Sequence, residues 1–269
     1  MEQIVTAEQV REGWARRRHR ARQLVDRYPF AEQILIFYAA LLDPQEAACL
    51  EALESRIDPS GLAAYIAARV LPKIVAVTVA EGPDGLRAAS AQRIEAGDSV
   101  GLIRAWLADE PQSPVERFLA RAAAGPVLEA RGSEMGGVTG READIASACP
   151  QCGGRPQLAC FTDSGDALIT GPRCLICSRC AQNWIFERMT CPACGETATD
   201  RLVVYADAER FPHLRVDGCE SCHRYLVTVD LRKDAEAVPV VDELAALPLE
   251  LYAQERGLTK IVPNLMGIG

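Results

Sequence analysis

The sequence predicts an α+β protein: an all-helical N-terminal domain, then two tandem four-cysteine units, then a C-terminal helix. Three observations carry this reading. Residues 1–131 are rich in Ala, Leu, Arg and Glu, and their apolar positions recur every three or four residues. Residues 132–147 collect Gly132, Ser133, Gly136, Gly137, Thr139 and Gly140, the composition of a linker or exposed loop. Residues 148–232 carry four Cys-x-x-Cys pairs among short runs of β-branched and aromatic residues. With 269 residues, 49% hydrophobic and 25% charged, the chain can bury a sizeable core without metal supplying most of its stability.

The elements follow in order. Arg16, Arg17, Arg18, His19, Arg20 and Arg22 form a basic run containing twin arginines. An export signal needs an apolar stretch next, and Gln23-Leu24-Val25-Asp26-Arg27 stands there instead, so the run reads as the solvated face of a helix. No stretch approaches the roughly 18 apolar residues of a membrane span. The expectation is a cytoplasmic protein without a membrane partner, in which close thiols are metal ligands or redox centres rather than disulfides. Helical stripes run through Ile34, Leu35, Tyr38, Leu41 and Leu42, through Leu62, Tyr65 and Ile66 up to Pro72, and through Leu102, Ile103, Trp106 and Leu107. A further stripe, Val115, Phe118, Leu119 and Ala122, is expected to stop at Gly125-Pro126. Asp43-Pro44, Asp58-Pro59 and Ser113-Pro114 each place a capping residue before a proline suited to a first helical turn. Five to seven helices result. Residues 74–79 are β-branched but sit among helices and are assigned to a buried helix. Strands are expected at Ala167–Thr170, Trp184–Phe186, Leu202–Tyr205 and Tyr225–Val229. In the tail, residues 233–269, Val241, Leu244, Leu247, Leu251 and Tyr252 are spaced for one apolar helix face, with Gly257 as its stop.

The cysteines form a duplicate. Cys149, Cys152, Cys177 and Cys180, moved forward by 42 residues, land on Cys191, Cys194, Cys219 and Cys222, and 24 residues separate the pairs in each copy. A repeated C-x2-C…C-x2-C pattern is the spacing of tetrahedral four-thiolate sites, each fed by two tight turns. Tandem duplication copies a self-contained unit, so the register favours sequential pairing, residues 148–190 and 191–232, over a cross-brace. Gly153 and Gly195 follow the second cysteine of the first turn, where a positive φ is often demanded. Ala181 and His223 hold that place in the second turns, which are therefore less ideal. Cys160 and Cys174 match Leu202 and Val216 in the second copy and read as incidental or packing thiols, and Cys49 as a small core residue. His213 has no repeat partner, His223 adjoins Cys222 without being needed as a ligand, and His19 reads as solvent-facing. Spacing alone does not choose between iron and zinc; composition favours zinc as the commoner structural ion.

At these residues the chain resembles the formate dehydrogenase accessory protein FdhE family. The resemblance rests on Cys149-Pro-Gln-Cys-Gly, Cys177-Ser-Arg-Cys followed by Trp184, Cys191-Pro-Ala-Cys-Gly, Cys219-Glu-Ser-Cys-His-Arg-Tyr-Leu, and Asp242-Glu-Leu-Ala. It implies rubredoxin-like units, with iron bound by Cys149, Cys152, Cys177 and Cys180 and by Cys191, Cys194, Cys219 and Cys222. It also implies a cytoplasmic maturation factor that binds the catalytic subunit of formate dehydrogenase before export, with no catalytic residue of its own. The extra Cys160 and Cys174 depart from the pattern.

Two other functions are weighed against this one. Iron held by four thiolates would suit a rubredoxin-like electron carrier. A zinc-ribbon nucleic-acid binder would stack bases on Trp184, Phe186 and Tyr225. The net charge of −8, with eight Arg and no Lys against nine acidic residues over 149–224, argues against nucleic acid. There is also no phosphate-cradling glycine loop and no nucleophile elbow.

Overall fold

The computed structural model describes residues 6–131, 147–162 and 171–269. The expected linker, apart from Ser147, and the expected strand Ala167–Thr170 lie outside the described residues. The N-terminal part is helical: α1 (Ala7–Arg27), α2 (Glu32–Glu54), α3 (Leu62–Arg69), α4 (Leu71–Glu81), α5 (Asp84–Glu95), α6 (Ser99–Leu107) and α7 (Pro114–Arg131). Residues 74–79 do lie in a helix, α4. Local chemistry starts two of these helices. Thr6 and Gln9 form a capping box ahead of α1, and Ser113 and Glu116 exchange hydrogen bonds ahead of α7.

Two expected boundaries are absent. Pro44 lies inside α2 and Pro126 inside α7. Each proline removes a hydrogen bond and costs about 3 kcal/mol. Both flanks are buried, however: Leu41, Leu42, Ala48 and Cys49 around Pro44, and Ala122, Ala123, Val127 and Leu128 around Pro126. Burying such side chains contributes up to about 2 kcal/mol each, so tertiary burial outweighs the break. One segment does approach membrane-span character. Pro59–Glu81 is long and apolar enough by length and composition alone. In the fold it comprises α3 and α4, with a junction at Val70 ahead of Pro72, and its Leu62, Ile66, Leu71 and Ile74 are buried in the helical core.

The two four-cysteine units build one sheet. Unit one contributes β1 (Pro156–Phe161), β2 (Arg173–Cys177) and β3 (Asn183–Phe186). Unit two contributes β4 (Leu202–Tyr205), β5 (Leu214–Cys219) and β6 (Arg224–Asp230), and the tail adds β7 (Thr259–Lys260). Among the described residues the order is β3-β2-β1-β6-β5-β4, with β7 beside β6. Each unit is an antiparallel meander. They join where β1 runs parallel to β6, from Leu158 opposite Val227 to Phe161 opposite Asp230. One face of the sheet, with Val216, Tyr225, Val227 and Val229, packs with Trp14, Leu24, Leu35 and Leu42 of α1 and α2 and with the tail. The other face carries Ala159, Leu175 and Leu226 under Trp184 and Phe186.

The tail differs in phase from the expectation. It is α8 (Pro239–Asp242), a tight turn Glu243–Ala245, and α9 (Leu247–Glu255). Pro248 restarts the helix, so Val241, Leu244, Leu249 and Ala253 point inward while Leu251 and Tyr252 are 49% and 40% exposed. Gly257 does end α9: it has φ 80°, and Leu258 N–H donates to Ala253 O at 3.1 Å, the signature of a Schellman cap. Inside the tail lies an ion chain. The buried Lys260 Nζ is 2.8 Å from both Glu243 Oε1 and Glu250 Oε1, and Tyr225 O–H donates to Glu250 at 3.1 Å. Gln157 links Glu243 to Arg121, whose Nη1 also donates to Pro263 O at 2.6 Å. The basic run on α1 is likewise not merely solvated. Arg17 pairs with Glu129 at 2.7 Å, and the buried Arg20 pairs with Asp242 and Asp234 at 2.6 Å each.

Candidate metal centres

The 42-residue duplicate folds into two knuckled pockets with the same backbone wiring. In unit one, Cys149 N–H donates to Gly154 O and Gly153 N–H to Cys149 O, both at 2.9 Å. In unit two, Cys191 N–H donates to Glu196 O at 2.8 Å and Gly195 N–H to Cys191 O at 2.9 Å. The positive φ expected after each knuckle is present at all four turns: 67° at Gly153, 79° at Gly195, and 55° at both Ala181 and His223. Turn geometry therefore overrides residue preference at Ala181 and His223, which occupy a region that costs an L-residue about 1–2 kcal/mol.

The sulfurs converge as sequential pairs. Cys152 Sγ is 3.4 Å from the sulfurs of Cys177 and Cys180, and Cys149 Sγ is 3.6 Å from that of Cys180. In the second unit Cys191 and Cys222 are 3.7 Å apart and Cys194 and Cys219 3.8 Å apart. A tetrahedral ion about 2.3 Å from each sulfur requires sulfurs about 3.8 Å apart, so both quartets have the size of a four-thiolate site. Disulfide sulfurs would sit at about 2.05 Å, and all eleven cysteines are free. Backbone N–H groups also point at sulfur: Arg179 N to Cys177 and Ala193 N to Cys191, each at 3.4 Å. Hydrogen bonding among the four thiols holds Cys149 well below its ordinary value and pushes Cys177 and Cys180 up. A cation at the centre favours the thiolate form throughout.

The two quartets differ in setting. Cys149, Cys152, Cys177 and Cys180 are all buried and belong to the helical core. In the second quartet Cys194 is exposed and Cys222 half-buried. Arg179, between Cys177 and Cys180, ties the first quartet to the helices. Its guanidinium donates to Leu107 O at 3.1 Å and Trp106 O at 3.3 Å at the C-terminal end of α6, where free carbonyls favour a cation, and it lies over the Trp106 ring. Gly154 is fitted to the same site: a Cβ there would fall 2.7 Å from Cys177 Sγ. Neither residue stands out in the sequence, because each has a role only once the helices are docked.

The remaining candidates resolve differently. Cys160 and Cys174 face each other across β1 and β2, away from both quartets, and burial pushes the Cys160 thiol up to about 12. Cys49 is buried in α2. His19 and His223 are exposed. His213 is buried against Asp242 at 2.7 Å beside Asp234, a third group with ligand-like spacing, but Arg20 already supplies the cation there. A cleft of about 880 Å³ opens between α5, α7, the first knuckles and the tail, with Trp106, Arg117, Arg121, Arg155 and Met266 among its lining.

Comparison with known proteins points one way. Residues 189–266 match the family model described as FdhE, C-terminal domain. A protein of Aquifex aeolicus (strain VF5) named "Protein FdhE homolog" is 36% identical over 119 residues, which is 44% of this chain and 41% of that protein. One of Pseudomonas aeruginosa with the same name is 33% identical over 141 residues, 50% of this chain and 43% of that protein. The aligned segments thus span less than half the length of these curated relatives. A solved structure, "The crystal structure of the FdhE protein from Pseudomonas aeruginosa", superposes with a TM-score of 0.69 at 25% identity, covering 96% of both chains.

Proposed function

We propose, from the premise that residues 189–266 belong to the FdhE C-terminal family and that the chain shares an FdhE fold over 96% of its length, that this protein is an accessory factor for formate dehydrogenase. It binds the immature catalytic subunit in the cytoplasm, before export, and is not itself an enzyme. Cys149, Cys152, Cys177 and Cys180 hold one ion; Cys191, Cys194, Cys219 and Cys222 hold a second. Iron is the proposed ion and zinc the alternative. The observation that carries the metal reading is the pair of thiol quartets with sulfurs 3.4–3.8 Å apart. Arg179 links the first quartet to α6 by its hydrogen bonds, so that site fixes the orientation of the helices against the sheet. The cleft along that junction, about 880 Å³, receives the client. The test is co-purification of the full chain with the catalytic subunit of formate dehydrogenase. Normal formate dehydrogenase activity in a strain lacking this protein refutes the role.

A second reading, electron transfer, is favoured by the exposure of Cys194 at the second quartet. Iron in four thiolates supplies one-electron chemistry, and the exposed knuckle gives a partner close approach. Metal analysis and an absorption spectrum of anaerobically purified protein decide it. Two irons per chain and a red colour that bleaches on reduction support it, whereas a colourless, fully zinc-loaded protein from iron-replete cells eliminates it.

A further inference from the structure

The chain carries 37 acidic against 29 basic residues, yet five guanidinium groups converge on one small hollow. It lies on the sheet face turned away from α1 and α2, has a volume of about 360 Å³, and is rimmed by Cys191 and Pro192 of the second unit. Arg173, Arg188, Arg215, Arg224 and Arg232 line it; among the described lining residues the only carboxylate is Asp217. Three of the arginines surround a single ring: Arg188, Arg215 and Arg232 stand 5.0, 4.8 and 4.9 Å from the centroid of Phe161. One aromatic ring attracts a cation by about 0.5–2 kcal/mol and does not by itself offset the mutual repulsion of three.

Among the described residues the neighbouring acids do not balance the charge. Asp230 holds Arg232 at 2.6 Å. Asp217 is shared by Arg215 at 2.8 Å, the Thr228 hydroxyl at 2.7 Å and Arg173 at 3.7 Å. Arg173 is only 5% exposed; its Nη1 donates to Thr190 O at 2.9 Å, while its Nε, buried at the wall, has no hydrogen-bond partner. Among the described residues, five cations face two carboxylates, an excess of three positive charges around a concave, partly apolar space lined by Phe161, Leu226 and Ile261. Guanidinium forks match planar or tetrahedral oxyanions by paired hydrogen bonds.

We propose that this hollow binds a compact polyanion, a ligand carrying phosphate or carboxylate groups. Its volume, about 360 Å³, lies at the small end of the roughly 300–1,000 Å³ of small-molecule pockets, which suits a few clustered anionic groups rather than a nucleic-acid strand. The site is independent of the formate dehydrogenase reading. Its ligand is either a free small molecule or the clustered acidic side chains of a bound polypeptide, and the two are separable. The test is calorimetric titration of the metal-loaded full chain with inorganic pyrophosphate and, separately, with a hexaglutamate peptide. Saturable one-to-one binding of at least one probe is expected, weakened by added salt, and weakened roughly tenfold or more in an Arg188→Gln/Arg215→Gln variant. Binding of pyrophosphate alone assigns the site to a free anion, and binding of hexaglutamate alone to a polypeptide. Metal content and the thermal midpoint confirm that the variant is folded; if it is not, Arg224→Gln, an exposed position, takes its place. Failure of both probes to saturate, or equal affinity in wild type and a folded variant, overturns the proposal.

Discussion

Gly154→Ala is the sharpest perturbation the first quartet offers. The new Cβ would stand 2.7 Å from Cys177 Sγ and 3.2 Å from Arg179 Cδ. Optimal carbon contacts lie at about 3.5–4.0 Å, so the knuckle must open by roughly 0.8 Å or more. The sulfur cannot yield when an ion holds it, because metal–ligand distances tolerate only about 0.2 Å. Arg179 cannot yield freely either, since it is bound to the carbonyls of Leu107 and Trp106. Overpacking of this kind costs about 1–3 kcal/mol. In a chain of this size 1 kcal/mol moves the melting point by roughly 2–4 °C, so the expected fall is about 2–12 °C, and with each quartet holding an ion as proposed, bound metal drops from two ions towards one. Differential scanning calorimetry and metal analysis on the same preparations measure both. Gly13→Ala is the control: its Cβ meets nothing within 4 Å, and in the interior of α1 it should stabilise by about 0.5–1 kcal/mol. A Gly154→Ala protein with two ions and an unchanged melting point would refute the geometry assigned to the first quartet.

Ala181→Gly and His223→Gly relieve the 55° φ at each second knuckle and should raise stability by up to about 1 kcal/mol; unchanged denaturant midpoints count against strain there. Lys260→Met strands Glu243 and Glu250 without a counter-charge and should cost about 3–5 kcal/mol, so a loss under 1 kcal/mol contradicts the ion chain. Burial pushes the Glu250 carboxyl up to about 7 despite Lys260. The stability gained from its proton is complete below the ordinary value near 4.5 and is lost as pH rises through 7. Glu250→Gln should therefore flatten the decline between those values in urea unfolding, and an identical profile rejects the assignment. A chelator should strip the second ion well before the first, because Cys194 is exposed and the first quartet is buried; simultaneous release argues against that asymmetry.

The grouping of the thiols was readable because duplication leaves a register. Four cysteines recurring at 42 residues identify two closed quartets and set aside Cys160 and Cys174, which the fold places across from each other on β1 and β2. What escaped has no local signal. β1 and β2 are buried on both faces and show no alternation of apolar and polar residues, so they resemble neither edge strands nor hairpins. The parallel β1–β6 pairing joins residues about 70 apart, and no turn sits between them to announce it. In the tail, nothing next to Glu243 and Glu250 in sequence announces their burial, because Lys260 reaches them from a later strand. The arginine hollow was hidden by summation. Over 149–224 the charges nearly cancel, but the fold sorts four of those arginines to one side, where Arg232 joins them.

The join between β1 and β6 has a further consequence. Shifted by 42 residues, β1 corresponds to β4 and β6 to β3. Among the described residues, the two outer strands of the sheet are therefore copies of the two that already meet in its middle. An additional copy of the junction would add one molecule's β4 beside another's β3. Such an assembly grows head to tail, into a ring where the rotation closes and an open filament where it does not. The molecule blunts this route by making both outer strands four residues long, against six and seven for β1 and β6, although Ile185 and Val204 on them remain exposed. A duplication that completed the cysteine-bearing sheet thereby also left it with matching ends.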